Sequence, residues 1–431
     1  FERLIVRARE TAAKPFEARP EAPSWLGDLA PDQYDRIRYK PEQYVWSGQG
    51  PFALELLPLG SYWRQPVRIS FVENGQARTM LYSPDLFDFG GVNLPDTLPP
   101  DAGFAGLSVH HTPAEGLPVE LLTFKGGSYF RAIGRGIRAG LSARGLALDT
   151  GLGRPEEFPV FTDLWVFKPS DPAAPLEICA LLDSPRVTGA YRFDVSATDV
   201  TVIDVDASLF FRADVEQVGL APLTSMFLFG RHHDATFDDY RPEVHNSDGL
   251  AIWRANGEVL WRPIVNPADL RMSVFVEENM RGFGLLQRQR DFTAYEDLDA
   301  RYDLRPNLWV EPRGEWGQGS IRLIEIPSAQ ETHDNIVAFW TPNDPVTAGR
   351  ELRVAYSLRW TLQPPLETGL ARIVGTLIGK EQGDGSGRHI VIEVDAPDGT
   401  NAESPVPDAV VTCHNGECTA PVVRWNEPMR R

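Results

Sequence analysis

What most constrains the folding of this chain is its punctuation. Gly 37 and Pro 36 in 431 residues leave little room for long helices. Between these breakers lie short runs in which apolar and polar residues alternate, the period of a half-buried strand. VRISFVENGQARTMLY (67–82) is one such run, interrupted at Asn74-Gly75, a pair suited to a two-residue hairpin turn. YRFDVSATDVTVIDVDASLFFR (191–212), GSIRLIEIP (319–327) and NIVAFWTP (335–342) follow the same pattern. So does GLAIWRANGEVLWRP (249–263), where Asn256-Gly257 reads as a second two-residue turn. Many short strands separated by regular turns imply an all-β sandwich or barrel. Residues 1–13 are the exception. Leu4, Ile5, Val6 and Ala8 are interleaved with charges there, and Pro15 ends the pattern, so this stretch predicts a helix.

The length suggests two or three domains. Hydrophobic residues make up 42% of the chain, ordinary for a globular protein with a sizeable core. Near residue 363 the texture changes, because Gln363-Pro364-Pro365 cannot continue a hydrogen-bonded ladder. This predicts a main domain over 1–362, a linker over 363–373 and a small β domain over 374–431. Within the small domain, 380–390 reads as a loop and 390–396 and 408–424 as strands. That domain is short for an independent core and ends at Arg430-Arg431 without a closing strand. No repeat of solenoid or propeller spacing is present.

Charge excludes some partners. Lys and Arg total 42 against 60 Asp and Glu, a net charge of −18. No basic footprint for nucleic acid is present, nor a polybasic membrane contact. A neutral ligand such as a sugar is not repelled. No apolar run is long enough to span a bilayer as a helix. The opening FERLIVRARE, without Met, reads as a processed or trimmed N-terminus, and a removed export signal fits it. Of the three cysteines, Cys179 lies in the apolar run LEICALL and is expected to be a buried thiol. Cys413 and Cys418 flank a turn-like HNGE, across which a disulfide would suit an oxidising compartment. With His414 they still lack a fourth metal ligand nearby.

Two segments concentrate polar and aromatic groups. In 238–263, Asp238, Asp239, Glu243 and Asp248 sit beside Arg241, His245 and Arg262, with Trp253 and Trp261 close by. The segment leads into a hairpin, and loops on a rigid β scaffold are where sites usually lie. The plain alternative is a solvated acidic turn. In ETHDN (331–335), Glu331 and Asp334 stand at the mouth of an apolar strand. Two carboxylates from different loops are what glycosidic cleavage needs, one to protonate the leaving oxygen and one to take a proton from water. Its alternative is a simple Asp-Asn turn, and its spacing matches no usual metal ligand set. The tryptophans, Trp165, Trp253, Trp261, Trp309, Trp316 and Trp340 among them, can stack on sugars, although most tryptophans in a sandwich are core. The Gly- and Arg-rich stretch 126–150 sets up no phosphate-binding motif and reads as tight turns and close packing. No GxSxG, HExxH or paired CxxC is found, and no cofactor motif.

Several segments, in order, resemble the OpgG/OpgD (MdoG/MdoD) family of periplasmic glucan biosynthesis proteins. They are SYFRAIGRG (128–136), GLSARGLALDT (140–150), APLTSMFLFG (221–230), RPEVHNSDGLAIW (241–253) and RGFGLLQRQRDF (281–292). RPNLWVEPRGEWGQGSIRLIEIP (305–327) and ETHDNIVAFW (331–340) continue the likeness to about residue 365. The resemblance implies a large mutarotase-like β-sandwich followed by an immunoglobulin-like domain. It implies a periplasmic protein that acts on the β-1,2-glucan backbone as an anomer-inverting glucanase or transglycosylase, with a membrane-bound glucan synthase as a further partner. Carried over by position, Asp334 is the base side, Glu331 supports it, and the acid falls on residue 246. Tyr129, Arg131, Arg241, Glu243, His245, Trp253, Arg262 and Trp309 are the expected substrate-binding residues.

Residue 246 departs from this pattern, since the family motif reads HDSDGL and this chain has Asn246. An amide cannot donate a proton and be regenerated as a carboxylic acid is. Three explanations stand: an engineered Asp→Asn change, a natural paralogue that binds glucan without cleaving it, or Asp248 taking over the role. An enzyme on β-1,2-glucan, a non-catalytic glucan-binding or scaffold protein, and a mutarotase-like epimerase are the functional alternatives.

Overall fold

The structure is a computed structural model and describes all residues except 113–117, 135, 198–199, 234–236, 364, 367–370, 382–386, 396–399, 402, 420 and 430–431. Parts of the expected linker and of the 380–390 loop, and Arg430-Arg431, lie outside the described residues. The chain divides into two compact units, Phe1–Gly230 with Ala235–Pro365, and Arg231–Asp234 with Leu366–Arg431.

Alternation produces strands as expected. In the first unit two large, mainly antiparallel sheets form. One has the spatial order Phe52–Leu57, Gly106–His111, Val119–Lys125, Tyr129–Ala132, Ser142–Arg144, Val218–Ser225, Ile336–Pro342, Gln318–Glu325 and Arg271–Glu278. The short strand Ala147–Leu148 also pairs with Val218–Ser225 in this ten-stranded sheet. The other, eleven-stranded, runs from the hairpin Gly249–Trp253/Val259–Pro263 through Glu351–Thr361 and Thr201–Phe211 to the hairpin Arg68–Glu73/Gln76–Thr79. Leu54, Leu107, Phe124 and Phe130 of the first sheet share one core with Phe193, Ile203, Leu358 and Trp360 of the second. Each such fully buried side chain contributes on the order of 1.5–3 kcal/mol. The unit is therefore an all-β sandwich.

Asn74 and Gly75 adopt φ of 51° and 77°, the two left-handed residues of a tight hairpin turn. The Asn256-Gly257 expectation is corrected. Trp253 pairs with Val259, so the loop is longer, and only Gly257 has positive φ, at 93°. The Gly257 N–H donates to Arg254 O and the Arg254 N–H to Glu258 O, a turn closed by a glycine bulge. Asn256 instead accepts the Glu258 N–H on its side chain, which removes its need for a left-handed backbone.

The helix expected over 1–13 spans Glu2–Ala12 and buries Leu4, Ile5 and Ala8 against Leu181, Ala190, Phe210 and Cys179. Burial pushes the Cys179 thiol up to about 12, which makes it an inert core group.

In the second unit the described regular structure is one hairpin, Arg372–Lys380 with Arg388–Asp395. Residues expected as a loop at 388–390 belong to its second strand, and the strands expected over 408–424 are not formed by the described residues. Pro405, Pro407 and a fully solvated Val410 give that stretch no ladder to join. Among the described residues of this unit no immunoglobulin-like sandwich is formed. Cys413 and Cys418 are disulfide-bonded.

Candidate functional site

The ten-stranded sheet has one apolar and one polar face. Leu54, Leu107, Leu122, Phe130 and Ala143 point into the core, so their neighbours in sequence point outward. Register then places Glu55, Ser108, Thr123 and Arg131 opposite one another in a single row. Tyr129 stands opposite Arg144, and Ser142 opposite Thr224. Strand Ile336–Pro342 continues this sheet, and ETHDN leads into it, so Asp334 lies at the end of the polar face.

The two candidate loops are tied to one short segment. Met226 O accepts the Asn246 N–H at 2.8 Å. The Asn335 side chain accepts the Phe227 N–H at 2.9 Å and donates to Phe227 O and Ile326 O, both at 3.0 Å. The Ser247 and Ser225 hydroxyls are 2.7 Å apart. Met226-Phe227 thus holds the start of HNSD and the end of ETHD together.

Asp334 makes no hydrogen bond or ion pair among the described residues, although Arg131, Arg144 and Arg305 surround it. Asp334 is exposed to solvent, with protein packed around its carboxyl. Loss of hydration there raises its pKa above the ordinary aspartate value, against the opposing pull of the three guanidinium groups. Glu331 is constrained instead. Its Oε2 accepts from Arg241 Nη1 at 2.7 Å and from the Tyr302 hydroxyl at 2.8 Å.

Arg241 holds three carboxylates, Asp239, Asp297 and Glu331, each at 2.7 Å. Those bonds occupy four of its five N–H donors, counting Nε to Asp239, so it shapes the loop more than it offers itself to a ligand. His245 is fully buried between the rings of Phe227 and Tyr295. Gln287 donates through Nε2 to Tyr302 O, which fixes its Oε1 as the acceptor for His245 Nδ1–H at 2.7 Å. Glu243 accepts at 3.1 Å from Nε2. Burial opposes charge on this ring, but the Glu243 carboxylate outweighs it, and the His245 pKa lies above its ordinary value.

Asn246 is 7% exposed, and its Oδ1 is buried without a partner. Asp248 is occupied. Its Oδ1 accepts the Arg288 N–H at 3.1 Å and its Oδ2 lies 4.0 Å from Arg288 Nε. The other expected binding residues separate into two groups. Tyr129 and Arg131 line the polar face beside Asp334, as the charge coupling of each to that end of the sheet shows. Arg262 is spent on the fully buried Glu325 at 3.0 Å, an ion pair joining the two sheets. Trp253 lies at the far end of its strand, about 16 Å along from Asp248, with Arg281 over its ring. Trp309 is corrected as a binding residue. It is 0% exposed and packs against Gly282 and Gly284, so no ring face meets solvent.

Arg144, Arg305, Tyr302, Gln287 and Asn335 were not singled out from the sequence as site residues. Asn335, Arg144, Gln287 and Arg305 fall inside the matching motifs, whereas Tyr302 carries no local signal. A cavity of about 580 Å³ lies at the opposite end of the same strands, lined by Asp149, Arg154, Glu157, Arg186, Glu216 and Val346. Its charges are paired with one another, Arg186 with Asp149 and Glu157, and Arg154 with Glu216.

The whole chain, residues 1–431, matches the family described as "Periplasmic glucan biosynthesis protein, MdoG". The match therefore continues past residue 365, where the recognisable motifs stop. "Glucans biosynthesis protein G" of Rhodopseudomonas palustris (strain BisA53) is 44% identical over 439 residues, covering 99% of this chain and 85% of that protein. "Glucans biosynthesis protein D 1" of Ralstonia nicotianae (strain ATCC BAA-1114 / GMI1000) is 46% identical over 391 residues, covering 86% of this chain and 72% of that protein. Among solved structures, a GH36 α-galactosidase from Geobacillus stearothermophilus matches with a TM-score of 0.29 at 8% identity, over 59% of this chain and 39% of that one, too slight a likeness to carry an argument. With its whole length matched and such relatives at both ends of that length, the chain belongs to the MdoG family of periplasmic glucan biosynthesis proteins.

Proposed function

We propose that this protein works in the periplasm on the β-1,2-glucan backbone, binding it along the polar face of the ten-stranded sheet, with Asp334 as the group that draws a proton from water. The observation that carries this reading is the state of Asp334. It is an unpaired carboxylate, raised in basicity by loss of hydration, at the end of a face lined by Tyr129, Arg131 and Arg144. A base is more effective as its pKa rises toward the working pH. Glu331, clamped by Arg241 and Tyr302, holds the loop that presents it. The partner acid belongs at position 246, whose amide oxygen is buried and unpartnered in a loop tied to the same Met226-Phe227 segment. Anomer-inverting hydrolysis or transfer then follows from an acid and a base acting on opposite sides of one glycosidic bond. The Cys413–Cys418 disulfide agrees with an oxidising compartment.

The test is incubation with linear β-1,2-glucan, following new reducing ends and cyclic products. The Asn246→Asp form is expected to turn over, and adding Asp334→Asn to it should lower the rate at least about 100-fold. A folded Asn246→Asp protein without turnover sinks the catalytic reading. Asn246 itself favours a second reading, a glucan-binding protein of the assembly machinery that does not cleave. That reading expects calorimetric binding of the glucan with no turnover even after Asp is restored.

A further inference from the structure

In a chain of net charge −18, four cations without an ion pair among the described residues lie on the polar face that ends at Asp334 and in the loops beside it. Arg131 is exposed on the polar face, and Arg138 is exposed in the loop that follows. The Arg138 N–H donates to Leu304 O, which brings that loop against Arg305. Arg305 spends its Nε on Ala300 O and lays its guanidinium 5.3 Å from the Tyr302 ring centre. Lys125, two residues along from Thr123 on the same outward face, has its ammonium 4.8 Å from Tyr34 and 4.7 Å from Trp63.

Like charges this close disfavour one another's ionisation. Burial lowers Lys125 to about 8, with Arg131 adding to the fall, against weaker support from Asp35 and Glu120. Burial also draws Arg305 below its ordinary value, and Arg131 and Arg138 push the same way, against Tyr302 and Asp297. None of the four forms an ion pair among the described residues. A fifth cation, Arg144, is 6% exposed and has a buried Nε without a partner, although its Nη1 donates to Glu156 at 2.6 Å. The charged cavity at the other end of the strands shows the contrast, since its arginines are all matched to carboxylates.

A neutral glucan gives no reason for this crowding. The carboxylates nearby, Asp334, Asp35, Glu120 and Asp297, form no ion pair with these four groups among the described residues. We infer that Arg131, Lys125, Arg138 and Arg305 form a subsite for an anionic substituent, a phosphate ester or a carboxylate, carried by the sugar chain that lies along this face. The inference rests on the glucan-binding reading for the chain and adds the charge of what the chain bears. Guanidinium and ammonium donors suit such oxygens, and charge-assisted bonds are about twice as strong as neutral ones.

The experiment is calorimetric titration of the full chain with three probes, at low and at high salt. They are a β-1,2-glucan oligosaccharide, the same oligosaccharide oxidised to carboxylates at C6, and inorganic phosphate. The charged oligosaccharide is expected to bind about tenfold tighter than the neutral one at low salt. Arg131→Gln should remove most of that advantage, and high salt should shrink it. The Arg131 side chain makes no hydrogen bond among the described residues and its backbone pairing is kept, so the variant's folding, checked by circular dichroism, is expected to be intact. Equal binding of the neutral and oxidised sugars overturns the inference and leaves the glucan reading standing. An advantage undiminished in Arg131→Gln and in Arg305→Gln overturns it as well. Phosphate binding as tightly as the oxidised sugar overturns the assignment of the anion to a sugar chain. If neither sugar binds, both this inference and the glucan reading fail.

Discussion

At the scale of single residues, the site depends on which charges have been given partners. His245 and Asp334 show the two outcomes. His245 is buried, yet every ring nitrogen has a hydrogen-bond partner, and Glu243 favours its charged form. Its folded pKa lies above the unfolded value of about 6.5, so its contribution is complete below that pH and fades as pH rises through the folded value. His245→Leu is expected to cost about 3–5 kcal/mol at pH 6, because Glu243 then loses its counter-charge inside the protein. The gap between variant and parent should narrow in alkaline buffer, which denaturant unfolding at several pH values would show. A constant gap would mean that packing alone matters there. Asp334 is the converse, a carboxylate without a hydrogen bond or ion pair among the described residues. Both residues sit in matching motifs, and nothing local in the sequence separates them. Their difference comes from Gln287, Glu243, Arg131, Arg144 and Arg305, most of which are distant in the chain.

At the scale of elements, the strands were legible and the connections between loops were not. Period-two alternation gave Arg68–Glu73, Gln318–Glu325 and Ile336–Pro342 close to their expected bounds, whereas the run expected over 191–212 is two strands, Val187–Ala197 and Thr201–Phe211; one face of each is buried. It could not show that the strand entry at Asn335 is welded to Phe227. That side chain satisfies one donor and two acceptors of the backbone, in place of ladder bonds. Asn335→Ala removes three hydrogen bonds in a buried setting and is expected to cost about 3 kcal/mol, seen as a lower urea midpoint with an unchanged slope. In the Asn246→Asp background it should lower kcat more than it raises KM, because Asp334 is displaced while the sheet face persists. An unchanged midpoint would show that the two loops are held by something else. Trp309 and Arg262 teach the same lesson from the other side. Their types suit sugar binding, but Gly282, Gly284 and Glu325 absorb them into the sandwich.

At the scale of the molecule, the sandwich contains its own core. No residue of its buried cluster lies beyond Trp360. A chain ended after Pro365 is therefore expected to unfold in one cooperative thermal transition with sandwich-like circular dichroism. Dye binding and a broad transition would show that the remaining residues are needed to complete the fold. The second unit differs, since its hairpin exposes Ile378, Ile390 and Ile392, and the alternation at 408–424 found no neighbouring strand to make it a sheet.

The sequence by itself determined that the chain is mainly β, where its first helix and most strands run, and which family motifs it carries. Those properties follow from local periodicity, turn chemistry and matched segments. Only the tertiary structure decided that Asp334 is free while Glu331, Asp248 and Arg241 are engaged, that Trp309 is core, and that unpaired cations collect on one sheet face. Charge pairing and burial depend on residues brought together from across the chain, and no local pattern records which neighbours those will be.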